Sequence, residues 1–243
     1  GAVKWNIVTH PADSGYSHTS APLIVGNKVI VGIAGGEYGI RGSVTAYDTE
    51  TGRQLWRFYT IPSPEDGGWW GKYSPATPWG DKLPRDLAKE HADSAKHADT
   101  WKIGGSPVWV TPAYDPELGL IYFGTGNPQP VVAHKGRMGD NLFTECIIAL
   151  NPDTGKMKWH FQFTPHDVWD WDAQAWPVLI DMPWQGRQRK VLLHANRNGF
   201  FYALDRTNGS FVAGKQYVDQ LNWTTGLDPK TGRPLSYDPT KDV

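Results

Sequence analysis

Ala46-Tyr47-Asp48-Thr49-Glu50-Thr51-Gly52-Arg53-Gln54-Leu55-Trp56 recurs as Ala149-Leu150-Asn151-Pro152-Asp153-Thr154-Gly155-Lys156-Met157-Lys158-Trp159. In each copy an apolar strand ends at Asp or Asn, whose side chain closes a turn on its own backbone. Gly supplies the positive φ of that turn. The next strand then delivers a Trp, so each copy reads as a β-hairpin with an aromatic anchor. Weaker copies begin at Ala113 and Ala203. Start points spaced this way, with insertions of variable length, suit the four-stranded blades of a β-propeller. Gly1 to Trp5 repeats the gap from Gly52 to Trp56, and Asp228-Pro229-Lys230-Thr231-Gly232 reopens the turn near the other end. The expectation is an all-β chain of about four blades, a piece of a larger closed ring that starts and stops inside a repeat.

Composition agrees with that reading and excludes other classes. The 243 residues include 13 Trp, 27 Gly and 19 Pro, a mixture suited to short strands and tight turns. Basic and acidic residues number 24 and 25, so no global field favours nucleic acid. No apolar run approaches the ~20 residues that span a bilayer. Cys146 is the single cysteine, which rules out an internal disulfide and a Cys-rich zinc site.

Further strands are expected at Pro22–Val25 and Lys28–Ile33, which flank the hairpin turn Gly26-Asn27. Others are expected at Ile121–Gly124, Phe143–Leu150, Pro177–Ile180, Lys190–His194 and Phe200–Leu204. Arg85–His97 is the one helical candidate, too polar for a core helix. Between Pro62 and Pro84, Trp69, Trp70 and Trp79 stand among Gly and Pro, which suggests a long ordered loop. The whole chain, 1–243, then reads as one partial domain with a loop and helix insertion around 62–100.

The residues that could carry chemistry stand at strand ends. Glu37 follows Ala34-Gly35-Gly36, and Asn127 sits in Gly124-Thr125-Gly126-Asn127-Pro128. Asp170 and Asp172 alternate with Trp169 and Trp171. An extended chain there would point both carboxylates one way and both indoles the other. These elements fall in different repeats, so a ring would gather them on one axial face. Carboxylate and amide oxygens suit a hard cation, although an Asp after a strand is most often a turn former. His91, His97 and His134 read as solvated, and His160, His166 and His194 as structural. Cys146 reads as a buried strand residue.

The chain resembles, end to end, the central part of the pyrroloquinoline quinone (PQQ)-dependent alcohol dehydrogenases, the methanol/ethanol dehydrogenase family. The stretches that carry the resemblance are Thr19-Ser20-Ala21-Pro22, Gly35 to Gly42, Trp101-Lys102-Ile103-Gly104-Gly105, Tyr114 to Leu118, Gly124 to Pro128, Thr164 to Asp172, and Asn196-Arg197-Asn198-Gly199 with Leu204-Asp205-Arg206-Thr207. It implies an eight-bladed propeller locked by tryptophan docking motifs. It implies that Glu37 and Asn127 are metal ligands and that Asp170 is both the general base and a residue near the metal. Trp101 matches the floor of the PQQ pocket, Arg197 the arginine at the quinone oxygens and Thr19 a PQQ carboxylate contact. Ala34, Gly35 and Gly36 line the same edge, with Ala34 where many relatives have Ser. Asp172 matches the extra carboxylate of members that use a lanthanide, so lanthanide(III) is favoured over Ca²⁺. The implied reaction is oxidation of a small primary alcohol to an aldehyde, with electrons passed to a c-type cytochrome in the periplasm, in a protein that could be a homodimer. Two rivals stay open on sequence: a non-catalytic propeller scaffold with PQQ-like repeats, and a sugar- or polyol-oxidising quinoprotein.

Overall fold

A computed structural model of the chain describes residues 1–66 and 86–237. Trp69, Trp70, Trp79 and Arg85 lie outside the described residues. Among the described residues, twelve strands form three four-stranded antiparallel sheets. The first holds β1 (Leu23–Val25), β2 (Lys28–Gly32), β3 (Ser43–Asp48) and β4 (Gln54–Tyr59). The second holds β5 (Ala113–Asp115), β6 (Leu120–Gly124), β7 (Cys146–Leu150) and β8 (Met157–Gln162). The third holds β9 (Val178–Trp184), β10 (Arg187–Ala195), β11 (Phe200–Asp205) and β12 (Phe211–Gln216). Within each sheet, spatial order follows chain order. Helix α1 (Leu87–Lys96) falls inside the expected helical segment. No helix among the described residues is long and apolar enough to cross a membrane.

The described residues thus contain three complete blades rather than four. The copies at Ala46, Ala149 and Ala203 are the turns between third and fourth strands. The copy at Ala113 is the turn between β5 and β6, the first hairpin of its sheet. An Asp side chain and a Gly close both kinds of turn, so the two look alike in sequence. Asp48 Oδ1 accepts the amide hydrogens of Glu50 and Thr51 at 3.1 and 2.9 Å. Asp115 Oδ1 does the same for Glu117 and Leu118 at 2.9 and 3.1 Å.

The sheets stack face to face. In the middle sheet, Ile121, Phe123, Cys146 and Ile148 pack towards the first sheet, with Ile30, Val44 and Ala46. Leu120, Tyr122, Ile147 and Ala149 alternate with them and pack towards the third, with Leu192, Tyr202 and Leu204. Alternate side chains of a strand face opposite ways, so a sheet covered on both faces must be apolar at every position. That explains the uninterrupted runs LIYFG and CIIAL, buried throughout.

Each aromatic anchor reaches a neighbouring turn. Trp5 Nε1 donates to Thr49 O at 2.9 Å, Trp56 Nε1 to Pro152 O at 2.8 Å and Trp159 Nε1 to Arg206 O at 3.2 Å. The indoles lie against Gly52, Gly155 and Gly209, where any added Cβ would fall within 2.8 Å of a ring carbon. Phe211 takes the corresponding place against Gly232.

Candidate active site at one rim of the stacked sheets

Antiparallel pairing decides where the candidate residues emerge. Glu37, Asn127 and Arg197 follow β2, β6 and β10, the second strand of each sheet. Asp172 precedes β9, whose first residue pairs with Leu193 near the end of β10. Trp101 precedes β5. The end of a second strand and the start of a first strand share a rim, because a hairpin joins them.

At this rim the structure brings Asn127, Asp172 and Arg197 together. Asp172 Oδ1 accepts the Asn127 amide hydrogen at 3.1 Å, and Arg197 Nη1 donates to Asp172 Oδ2 at 2.6 Å. Asp172 and Asn127 are buried, whereas Arg197 is exposed. Burial pushes the Asp172 pKa up to about 6. Gly36 lies on Pro107, with Asn127 Oδ1 3.9 Å from where its Cβ would stand. Gly126 leaves no room for a side chain, since its Cβ would meet Asp172 Oδ1 at 2.8 Å. Glu37 is exposed in a short 3-10 turn, Gly36–Tyr38.

Trp101 lies in a second 3-10 turn, Thr100–Ile103, and is half-buried. The Arg41 guanidinium sits between two rings, 4.5 Å from the Trp101 centroid and 3.8 Å from that of Tyr59. The chain from Trp101 runs into Gly105, whose Cβ would stand 3.0 Å from Asn127 O. Ala34 pairs with Ser17, and Thr19 Oγ1 points at Trp109 O at 3.4 Å. Thr19 is exposed, Ala34 buried and Gly35 half-buried.

The segment around Asp170 departs from the extended expectation. Asp170 and Asp172 have φ of 65° and 46°, so the chain turns instead of running straight. The cause is Asp167, fully buried, whose carboxylate accepts the amide hydrogens of Trp169, Asp170 and Trp171 at 3.1, 3.0 and 3.2 Å. Burial pushes the Asp167 pKa up to about 6. Asp170 is left exposed while Asp172 is buried. The indoles of Trp169 and Trp171 stack at 4.5 Å and pack against Trp223. Arg137, fully buried, braces the same loop by donating to Asp167 O at 2.6 Å. Asp167 and Arg137 were missed as site residues. The Asp167 carboxylate in His166-Asp167-Val168-Trp169-Asp170, a third one beside Asp170 and Asp172, was the signal available for the first, and nothing in the sequence marks the second.

The expected cation donors are not a closed shell. Among the described residues, no three His, Cys, Asp or Glu side chains converge as a metal cage. The donor chemistry nevertheless fits a hard cation, with Asn127 and Asp172 adjacent at the rim. Beneath them Glu145 is fully buried, and neither of its carboxylate oxygens has a hydrogen-bond partner. Orphaned buried oxygens beside a second buried acid fit a missing positive charge. The Trp101 ring, which carries the Arg41 guanidinium, offers a flat face suited to stacking, whereas the Cβ positions of Gly35 and Gly36 point at Gly15 O and Pro107.

Comparison with known proteins places these features in context. Residues 1–218 match the PQQ family described as the glucose/ethanol/alcohol dehydrogenase β-propeller domain. The quinoprotein alcohol dehydrogenase PedH of Pseudomonas putida is 42% identical over 99% of this chain and 39% of its own length. The crystal structure of the quinohemoprotein alcohol dehydrogenase of Comamonas testosteroni superposes with a TM-score of 0.73 at 40% identity, over 90% of this chain and 31% of that one. A europium-containing methanol dehydrogenase gives a TM-score of 0.77 at 35% identity, over 96% of this chain and 39% of that one. The chain thus spans between 31% and 39% of the length of these relatives.

Proposed function

The chain belongs to the PQQ family of alcohol-dehydrogenase β-propellers, and from that premise we propose that the complete protein oxidises a primary alcohol to an aldehyde. The observation that carries the proposal is the meeting of Asn127, Asp172 and Arg197 at the rim where Glu37, Asp170 and Trp101 also emerge. A scaffold has no use for a buried acid held between an amide and an exposed arginine.

Bound PQQ would supply the acceptor for the hydride that leaves the carbinol carbon, with a metal ion polarising its carbonyl. The chain's own residues bind, orient and move the proton. The Trp101 ring, backed by Arg41, is the stacking floor, and Gly35, Gly36 and Ala34 line the edge. Thr19 would meet a cofactor carboxylate and Arg197 the quinone oxygens. Glu37, Asn127, Asp170 and Asp172 would hold the metal. Asp170 is the general base: it is exposed at the rim and takes the hydroxyl proton as the hydride departs. The stacked Trp169 and Trp171 flank it and suit a small alkyl group.

Lanthanide(III) is favoured over Ca²⁺. Asp172 adds a buried carboxylate beside Asn127, and the cost of burying an anion falls as the charge beside it rises. A relative named for its europium supports this preference. The electron acceptor is a c-type cytochrome and the setting is the periplasm. Asp170→Asn tests the base: the complete protein should keep PQQ binding while alcohol turnover falls at least about a hundredfold. Unchanged turnover would remove Asp170 from the mechanism.

A further inference from the structure

Glu145 stands immediately before β7, with φ of 53° and no exposure to solvent. Its backbone is fully used. Its amide hydrogen goes to Gly126 O at 3.3 Å, and its carbonyl accepts from the Phe163 amide at 2.8 Å. Its carboxyl is not used, since neither Oε1 nor Oε2 has a partner. A buried polar group left unsatisfied signals a missing ion or water. A carboxyl with both oxygens orphaned is an extreme case, because dry burial of one acid costs several kcal/mol.

The surroundings distinguish an ion from water. The charged groups that act on the Glu145 carboxyl are the anionic Asp167, Asp172 and Asp170, together with the Arg137 guanidinium. The Asp172 backbone N–H faces the carboxyl. Gly126, which Glu145 engages, precedes Asn127 and lies against Asp172 Oδ1. The nearby cations give the Glu145 carboxyl no hydrogen bond. Arg197 pairs with Asp172, and Arg137 donates to Asn141 and to the carbonyls of Pro130, Val131 and Asp167. A neutral water would leave like charges facing one another.

We propose that Glu145 is a buried counter-charge beneath the cation held at Asn127 and Asp172, and that it biases the site towards a trivalent ion. This rests on the metal-binding reading of the rim and deepens it. Coulomb energy scales with ion charge at fixed distance, so removing Glu145 must weaken a trivalent ion more than a divalent one.

The test uses the complete protein, freed of metal, with Tb(III) binding read by luminescence sensitised through the indoles and Ca(II) binding read by competition. Glu145→Gln should weaken Ca(II) by about tenfold and Tb(III) by about thirtyfold, a 2:3 ratio of the logarithms. Glu145→Met, apolar and of similar size, should give the same ratio and guards against a folding defect in the first variant. Neither variant should lower the melting temperature of the metal-free protein, which a structural role for the acid would require. Equal losses for both ions, or no loss, would overturn the proposal while leaving the site itself intact. Wild-type protein that binds neither ion would overturn both this inference and the metal-binding reading on which it rests.

Discussion

Replacing Gly155 by Ala tests how neighbouring sheets are joined. Gly155 has φ of +67°, and an added Cβ would stand 2.6 Å from Cδ2 and 2.7 Å from Cε3 of Trp56. Two costs follow. Ala in the left-handed region costs about 1–2 kcal/mol. The indole must also retreat, breaking the 2.8 Å bond from Trp56 Nε1 to Pro152 O, worth about 1 kcal/mol, and losing ring packing worth about 1 kcal/mol more. Gly119 provides the control. It has a nearly equal φ of +62° in the β5–β6 turn, with nothing within 4 Å of its Cβ position. Gly119→Ala should therefore cost only the backbone part, about 1–2 kcal/mol. The assay is urea unfolding of the complete protein followed by Trp emission, with midpoints compared at equal slope. Gly155→Ala should be the more destabilised variant by about 2 kcal/mol. In a Trp56→Ala background that excess should vanish, since the double-mutant cycle isolates the pair. Equal costs at Gly155 and Gly119 would refute the claim that the Trp–Gly contact holds the sheets together.

Two further outcomes follow from buried charge. Arg206 Nε donates to Asp115 Oδ2 at 2.6 Å, with both side chains less than a tenth exposed, across the second and third sheets. Asp115→Ala should cost about 1–3 kcal/mol in the same urea assay because it removes a buried charge-assisted hydrogen bond while Arg206 keeps its pair with Asp181, whereas no loss would mean that the pair is solvated. Burial lowers the His194 pKa to about 3 from an ordinary 6.5. A folded pKa below the unfolded one means stability that is complete above pH 6.5 and lost as pH falls towards 3. His194→Asn should make the stability-versus-pH curve shallower by about 1.4 kcal/mol per pH unit in that window, and an unaltered slope would contradict the burial argument.

The local chemistry of the turns made the fold legible. Asp48, Asn151 and Asp205 each fold onto their own backbone, and Trp56 and Trp159 follow at a fixed distance. The number of blades was less legible, because Asp115 and Gly119 repeat that chemistry in a different hairpin. At the rim, strand ends and the ring expectation were enough to gather Asn127 with Asp172, whereas Arg197 came only from the family resemblance. The conformation of the Asp170 segment was not readable, because the three amide hydrogens collected by Asp167 bend it and alternation alone predicts an extended chain. Glu145 escaped notice because a single Glu inside the expected Phe143–Leu150 strand looks like a residue on a solvated face. Only packing shows that it is sealed beneath Asp172.

The most direct test of the account divides metal-free complete protein, loaded with PQQ, between lanthanum and calcium and measures alcohol oxidation with an artificial electron acceptor. The account predicts turnover with lanthanum, and its loss in Asp172→Ala. Turnover with calcium alone, indifferent to Asp172, would contradict the trivalent site, and no turnover with either ion together with no PQQ binding would contradict the enzyme itself.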